Sequence, residues 1–423
     1  MRLSQLFTKT LREAPADEIA LNAQYLIRGG FVYKNSAGIY TFLPLGWRVA
    51  QKVMNIIREE MTAIGGQEMF MPALVEQKYM EPTGRWNLDV GFFAYDKPSY
   101  TKASEGQREA NFVMGWSHEE VLTTIASKYV SSYKDLPFSA YQIQTKFRNE
   151  PRAKSGLLRG REFMMKDLYS FHASDANLAA YYEKAKEAYF KIFERCGLKA
   201  VYTLAGGGMF TENFTHEFQV LSEVGEDTIM LCPACEYAEN VEISKLKEGD
   251  ACPKCGLTGQ GGKVVEKKSI EVGNIFKYGP KYSEKLALYF TDEKGAKYPV
   301  LSGAYGIGVS RLIATVVEVS NDGRGIIWPE SIAPYKVHII VLDDKKEESE
   351  KIYRDLTDKG VEVLYDDRED KTAGEKFADA DLIGCPVRVV ISNKTLEKNT
   401  AEVKMRNKKE AEFLPLGEVG HLI

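Results

Sequence analysis

A chain of 423 residues with 44% hydrophobic and 27% charged side chains carries enough apolar surface for a sizeable core, and at roughly 100–200 residues per domain it should divide into two to four domains. A net charge of −4 and a pI near 5.9 exclude a polycation, so any contact with nucleic acid has to come from local clusters of Lys and Arg. No apolar run reaches the roughly 18–20 residues that cross a bilayer, and the opening "MRLSQLFTKTLREAPADE" lacks the apolar stretch of a signal peptide, which predicts a cytoplasmic protein with no membrane segment.

In chain order, the first clear element is "GWRVAQKVMNIIREEMTAIGG" (46–66), where Val49, Val53, Ile56, Met61 and Ile64 share one helical face before a Gly pair. "WSHEEVLT" (116–123) sets a hydroxyl, a His and a Glu side by side, as "FTHEFQV" (214–220) does later. Neither has the HExxH spacing of a zinc protease, and no Ser stands in a GxSxG elbow. "FSAYQIQTKFRNE" (138–150) alternates like a strand, with "GREFMMKDLYSFH" (160–172) as its antiparallel partner. The Gly/Ser loop between them concentrates Arg148, Arg152, Arg159 and Arg161, a set of forked guanidiniums suited to phosphate or carboxylate.

Beyond that hairpin, "SDANLAAYYEKAKEAYFKIFERCG" (174–197) reads as a helix capped by Ser174. Cys232, Cys235, Cys252 and Cys255 form C-x2-C, sixteen residues, then C-x2-C, the spacing of a zinc ribbon. Four thiolates close a tetrahedral site and leave no open position, which points to a structural metal. Cys196 and Cys385 stand alone and read as buried thiols. "SIEVGNIFKYG" and residues 285–303 read as strands, and "GIGVSRLIATVVEVS" (306–320) as a Gly-opened buried helix with Arg311 in its first turn. This is neither a Walker loop nor a dinucleotide fingerprint, yet an Arg opening an apolar helix is costly unless it meets an anion. Strands outnumber crossover helices, which predicts a mixed, mainly antiparallel sheet. "WPESIAPY" (328–335) is the linker candidate, and from Lys336 a compact βαβαβ pattern holds 16 Lys plus Arg against 20 Asp plus Glu.

Together these stretches resemble the class II aminoacyl-tRNA synthetases, with "FRNE…GREF" similar to motif 2, "GIGVSR" to motif 3, and the first helix with "MFMP" (69–72) to motif 1. The wording of "SHEEVLT", "YQIQTKFRNE", "REFMMKDLYSFH", "THEFQV", "EVGNIFKYGPKYSE" and "GIIWPESIAPYKV" is similar to the bacterial-type prolyl enzymes of that class. "LYDDREDKTAGEKFADADLIGCP" is similar to their anticodon-binding domain. The resemblance implies an α+β catalytic domain in two parts (1–231 and 266–335). A zinc-ribbon-like insert (232–265) replaces the editing domain, and an α/β anticodon-binding domain occupies 336–423.

The same resemblance implies ATP-dependent ligation of proline to tRNA(Pro) through an adenylate, by a homodimer formed on the motif 1 helix, with ATP, Mg2+ and a structural Zn2+. Arg148 would bridge carboxylate and α-phosphate, Glu150 accept from the adenine amine, and Phe163 stack on adenine. Arg311 would hold the γ-phosphate, Arg152 and Arg159 reach the triphosphate or the acceptor end, and Glu271 meet ribose or ammonium. Ser117, Glu119, Met165, Trp116 and His216 would form the proline site, and Asp366, Arg368, Lys376 and Phe377 would serve the anticodon. Two departures from the usual pattern are Ser117, where Thr is common, and Ala304, where Cys is common. Only about fifty residues separate "HEFQV" from "EVGNIF", too few for an editing domain, so a separate alanyl-tRNA(Pro) deacylase is implied as partner. The alternatives are a threonine or histidine enzyme of the same class, or a non-catalytic tRNA binder derived from one.

Overall fold

The structure, a computed structural model, describes residues 1–94, 110–151, 153, 155–208, 210–256, 262–343 and 345–421. Arg152, one of the four loop arginines, lies outside the described residues.

After a short helix α1 (Leu21–Arg28) and a hairpin over 32–42, the motif 1 helix forms as α2 (Pro44–Ala63). Pro44 occupies its first turn, where the missing N–H costs nothing, and Val49, Ala50, Val53, Ile57 and Met61 bury its inner stripe. Then follow β1 (Gly66–Glu68), a small three-stranded sheet within 74–114, and α3 (Glu119–Ala126). The expected hairpin appears as β2 (Phe138–Phe147) and β3 (Glu162–His172), paired antiparallel from Phe138↔Phe171 to Phe147↔Glu162. The expected helix follows as α4 (Asp175–Arg195), with the Ser174 hydroxyl accepting from the Asn177 N–H at its start.

The chain continues through β4 (Val201–Ala205), β5 (Thr215–Leu221), β6 (Asp227–Leu231), β7 (Ala238–Asn240), the 15-residue β8 (Val265–Gly279), β9 (Leu301–Gly308) and α5 (Val309–Val319). These strands make one nine-stranded sheet in the order β5-β4-β7-β6-β8-β9-β3-β2-β1, with β5 also paired to β8. The pairings are antiparallel except β7 with β4 and β1 with β2, which matches the mixed, mainly antiparallel reading.

One expected boundary moves. Residues 306–308 extend β9, and the helix starts at Val309. The glycines there serve close packing within the sheet: a Cβ on Gly306 would lie 2.6 Å from Met165 Cε and 2.8 Å from Asn274 Oδ1. Arg311 still falls in the first turn of α5. Helices α1, α2, α4 and α5 cover one face of the sheet in the main core. A second apolar cluster, with Trp116, Phe276 and Tyr278, lies on the other face, and the candidate site opens there.

The C-terminal unit contains β10 (Val337–Val341), α6 (Lys346–Asp358), β11 (Val363–Asp366), α7 (Ala373–Ile383), β12 (Val387–Ile391), β13 (Thr400–Met405) and β14 (Glu412–Pro415). Strands β11, β10 and β12 are parallel, as the βαβαβ pattern predicts, and β13 and β14 extend the sheet antiparallel. The N-terminal residues strap this unit to the rest: the Met1 ammonium donates to Val363 O at 2.9 Å and the Ser4 hydroxyl to Asp367 at 2.7 Å. A forked pair joins Arg406, just past β13, to Asp322 beyond α5, at 2.7 and 2.8 Å. No helix among the described residues is long and apolar enough to cross a membrane.

Candidate active site

Strand alternation builds the site. On β2, β3, β8 and β9, every second residue faces the side away from the main core, which brings Lys146, Phe163, Met165, Asp167, Tyr169, Asn274, Phe276, Tyr278, Ala304 and Gly306 together. Two cavities lie on this face. The larger, about 190 Å³, is walled by Arg148, Glu150, Arg159, Phe163, Glu271 and Arg311. The smaller, about 50 Å³, lies against Ser117, Glu119, Met165, Tyr278 and Ala304. Arg148, Met165, Asn274 and Gly306 border both.

Arg148 is the hinge between them. Burial and the nearby Arg311 pull its guanidinium below its ordinary pKa. Among the described residues its Nη2 reaches only Trp116 O at 3.5 Å and Met165 Sδ at 3.8 Å, and its buried Nε has no partner. Its charge sits 5.2 Å from the Phe163 ring centre. Arg311 is oriented by three contacts: Nε donates to Leu158 O at 2.9 Å, and Nη1 to Glu271 O and Oε2 at 3.0 Å each. Arg159 pairs with Glu226 at 3.0 Å and approaches Glu150 at 3.7 Å. Glu271 thus belongs to the larger cavity beside Arg311 and does not line the smaller one, against an ammonium role for it.

The smaller cavity is backed by a cation that the sequence reading overlooked. Arg85, 6% exposed, donates to Glu119 at 3.0 Å, to both Glu120 oxygens at 2.9 Å and to the Ser117 hydroxyl at 2.5 Å. Its guanidinium lies 3.9 Å from the Trp116 ring centre, so Trp116 is a support one layer behind and not a lining residue. Burial alone raises the Glu119 carboxyl, but Arg85 and Ser117 outweigh it and hold it below the ordinary value. Burial, aided by Glu119 and opposed by Arg85, pushes Glu120 up. Glu119 therefore keeps the negative charge, with the Tyr278 hydroxyl donating to it at 3.1 Å. The only sequence signal for Arg85 is an Arg beside a Trp in "TGRW".

A second buried network forms the floor. Lys146 pairs with Asp167 at 2.8 Å and lies 2.9 Å from His118 Nδ1. His118 Nε2 is 3.0 Å from Pro72 O, which assigns the proton to Nε2 and leaves Nδ1 to accept from Lys146. Burial and Lys146 keep this imidazole below its ordinary pKa, hence neutral.

His216 is not in the site. Its Cα pairs with Ile275, whose side chain points into the main core, while Glu217 pairs with Asn274 on the site face. His216 instead stacks on Tyr202 at 4.3 Å and meets the Tyr182 hydroxyl at 2.8 Å, and burial and Lys186 push its pKa down to about 4.

In the C-terminal unit, Arg368 and Lys376 line a groove with Lys346 and Lys371. Asp366 is buried beneath it in a forked pair with Arg368, at 2.8 and 2.7 Å. Phe377 packs inward under Arg388, 4.7 Å from its ring centre, and does not line that groove.

The four cysteines converge, with every Sγ within 4.8 Å of the others and two pairs at 3.6 and 3.8 Å. A tetrahedral thiolate site with Zn–S near 2.3 Å has S···S edges of about 3.8 Å, so the residues fit zinc. Both C-x2-C turns end on a left-handed residue, Glu236 (φ 54°) and Gly256 (φ 62°), whose N–H donates back to the first Cys carbonyl at 3.0 Å. The sheet ties this element in: β6 pairs with β8, and β7 with β4.

Residues 100–320 match the tRNA synthetase class II core domain (G, H, P, S and T), and residues 336–423 match an anticodon binding domain. The chain is 34% identical to a proline--tRNA ligase of Dehalococcoides mccartyi (strain CBDB1), covering 99% of this chain and 98% of the relative, and 35% identical to one of Geobacillus thermodenitrificans with the same coverage. The first alignment runs over 569 positions, so the relative carries well over a hundred positions that this chain lacks. In fold it is similar to the Giardia lamblia prolyl-tRNA synthetase in complex with prolyl-adenylate. That likeness has a TM-score of 0.75 at 18% identity and covers 94% of this chain and 74% of the other.

Replacing Arg85 with Met is expected to strand two buried carboxylates and to lower stability by about 3–5 kcal/mol, measured by urea denaturation. Without the cation, burial raises both carboxyl pKa values above their unfolded values. The loss should therefore be greatest at pH 8 and shrink as the pH falls and the groups protonate.

Proposed function

This chain belongs to the proline--tRNA ligases of the class II aminoacyl-tRNA synthetases, and on that premise we propose that its two joined cavities take ATP and L-proline, form prolyl-adenylate, and pass the prolyl group to tRNA(Pro). The observation that carries the reading is Arg148: a half-buried cation without a carboxylate partner among the described residues, bordering both cavities, with the charged Glu119 beside one and Arg311 beside the other. In the first step a carboxylate oxygen of proline attacks the α-phosphorus in line. The new O–P bond forms as the bond to the β-phosphate oxygen breaks, and pyrophosphate leaves. No side chain acts as nucleophile, so the protein contributes position and charge.

Glu119 accepts from the secondary ammonium, Ser117 holds Glu119, and Met165 with the aromatic walls encloses the ring. Arg148 neutralises the carboxylate and the α-phosphate. Phe163 stacks on adenine, Glu150 accepts from its amine, Arg311 and Arg159 take the triphosphate end, and Glu271 lies where ribose arrives. A Mg2+ ion bound with ATP would supply positive charge against the departing pyrophosphate, and the carboxylates of the larger cavity, Glu150 and Glu271, would be the ones to hold it. Arg368 and Lys376 meet the anticodon, with Asp366 fixing Arg368. Cys232, Cys235, Cys252 and Cys255 hold a structural Zn2+. A homodimer formed beside α2 is supported by Trp47, Phe70 and Leu74, which this chain leaves 42%, 76% and 51% exposed.

Pyrophosphate exchange separates this reading from its rivals: exchange should depend on proline and not on threonine or histidine. Exchange driven by either of the others, or none at all, overturns it. The stretch between β5 and β8 is occupied by the cysteine element, and apolar contacts distinguish alanine from proline by only about 1–3 kcal/mol per methylene. Alanyl-tRNA(Pro) is therefore expected to form and persist until a separate deacylase is added, and a mischarging assay showing rapid self-clearance contradicts this. Cys252→Ser is expected to lower zinc content and loosen the insert to proteolysis while proline-dependent exchange largely survives. Collapse of exchange with the fold intact would show that the insert does more than brace.

A further inference from the structure

Asn22 lies on α1, fully buried, and touches neither cavity. Its Oδ1 accepts from the Leu157 N–H at 3.0 Å, and its Nδ2 donates to Ser155 O at 3.2 Å. The same Nδ2 donates to Glu318 Oε1 at 2.7 Å, and that oxygen also accepts the Asn22 backbone N–H at 2.9 Å. Ser155 and Leu157 belong to the loop between β2 and β3, and Leu157, Leu158, Arg159 and Gly160 wall the larger cavity. Glu318 is in the last turn of α5, the helix whose first turn carries Arg311. Arg311 itself holds Leu158 O.

The loop is shaped to receive this side chain. Gly156 has φ +62°, and a Cβ there would lie 2.3 Å from Asn22 Oδ1, so the backbone passes over the amide with no room for a methyl. Each amide atom is used: one oxygen for the loop N–H, one nitrogen for a loop carbonyl and a helix carboxylate. An apolar residue at this position leaves the buried Leu157 N–H unpaired and the Ser155 carbonyl with the Leu158 N–H alone, at 3.2 Å, which disfavours this loop conformation.

We propose that Asn22 is a positioning residue of the nucleotide site, clamping the loop that carries Arg159 onto the helix that carries Arg311. The proposal rests on the reading of the larger cavity as the ATP site. Its effect is confined to that cavity, because the residues it holds do not border the smaller one. Glu318 is the clamp's second half, and a neutral amide there still offers a carbonyl oxygen to both Asn22 donors.

The test is steady-state pyrophosphate exchange on the full chain. Asn22→Ala is expected to raise KM for ATP about ten-fold, in keeping with the loss of one or two buried hydrogen bonds, with KM for proline within about two-fold. Glu318→Ala should do the same, and Glu318→Gln should stay close to wild type. If Asn22→Ala does not fold, the Glu318 pair decides. KM values for ATP and proline that rise together, an unchanged KM for ATP, or a Glu318→Gln as impaired as Glu318→Ala each overturn the clamp. Absence of proline-dependent exchange in the wild type overturns instead the reading on which it rests.

Discussion

Arg148 is a half-buried cation without a carboxylate partner among the described residues, and the site is arranged around that fact. Taking a guanidinium even partly out of water is costly unless a partner returns the energy. Here the contacts are a carbonyl at 3.5 Å, a thioether and one aromatic face. The next cation, Arg311, adds repulsion. One layer behind, the two Nη atoms of Arg85 are paired with Glu119, Glu120 and Ser117. The charges are therefore graded, neutralised at the back and unneutralised at the front. On the function proposed above, an anionic pair of substrates meeting at Arg148 would find its donors already in place, which is how preorganised charge lowers a barrier without reorganising at the moment of reaction.

Much of this was legible in the sequence because strand alternation is local. Residues 138–150 and 160–172 read as paired strands, and the pairing, observed over 138–147 and 162–172, puts Phe163, Met165 and Asp167 on one face. The same rule explains the error at His216. The resemblance assigned it to the proline site, but it is the neighbouring Glu217 that faces the site, because adjacent strand residues point opposite ways. The first glycine of "GIGVSR" was read as opening a helix, but the missing side chain of Gly306 makes room for Met165 and Asn274 within the sheet.

Arg85 and Asn22 were out of reach for a different reason. Arg85 meets Glu119 across 34 positions of chain, and Asn22 meets Leu157 and Glu318 across 135 and 296. Neither lies in a periodic pattern that announces burial, and a lone Arg or Asn in a sequence is far more often at the surface. Their roles exist only once three elements are packed together. Those elements also converge physically: α5 carries Arg311 at one end and Glu318 at the other, and just past it Asp322 grips Arg406 of the C-terminal unit. One helix, with the residues just past it, thus touches the larger cavity, the loop over it and the anticodon-binding unit.

The cysteine element follows the same logic of closure. Its apolar content is small, with Cys232, Cys252 and Val264 the buried members of its own cluster, so its tip has too little core to hold itself and a metal can supply the missing folding energy. Its base needs no such help. Strand β6 lies along β8, and the preceding Glu226 reaches Arg159 at 3.0 Å and the Ser155 hydroxyl at 2.8 Å on the loop over the larger cavity. The element is thus a pair of strands completing the catalytic sheet, anchored at the site by hydrogen bonds and at its far end by four thiolates. A connector of that kind can be short because the sheet supplies most of its order. That is why a chain without a hydrolytic domain at this point still needs a folded element there.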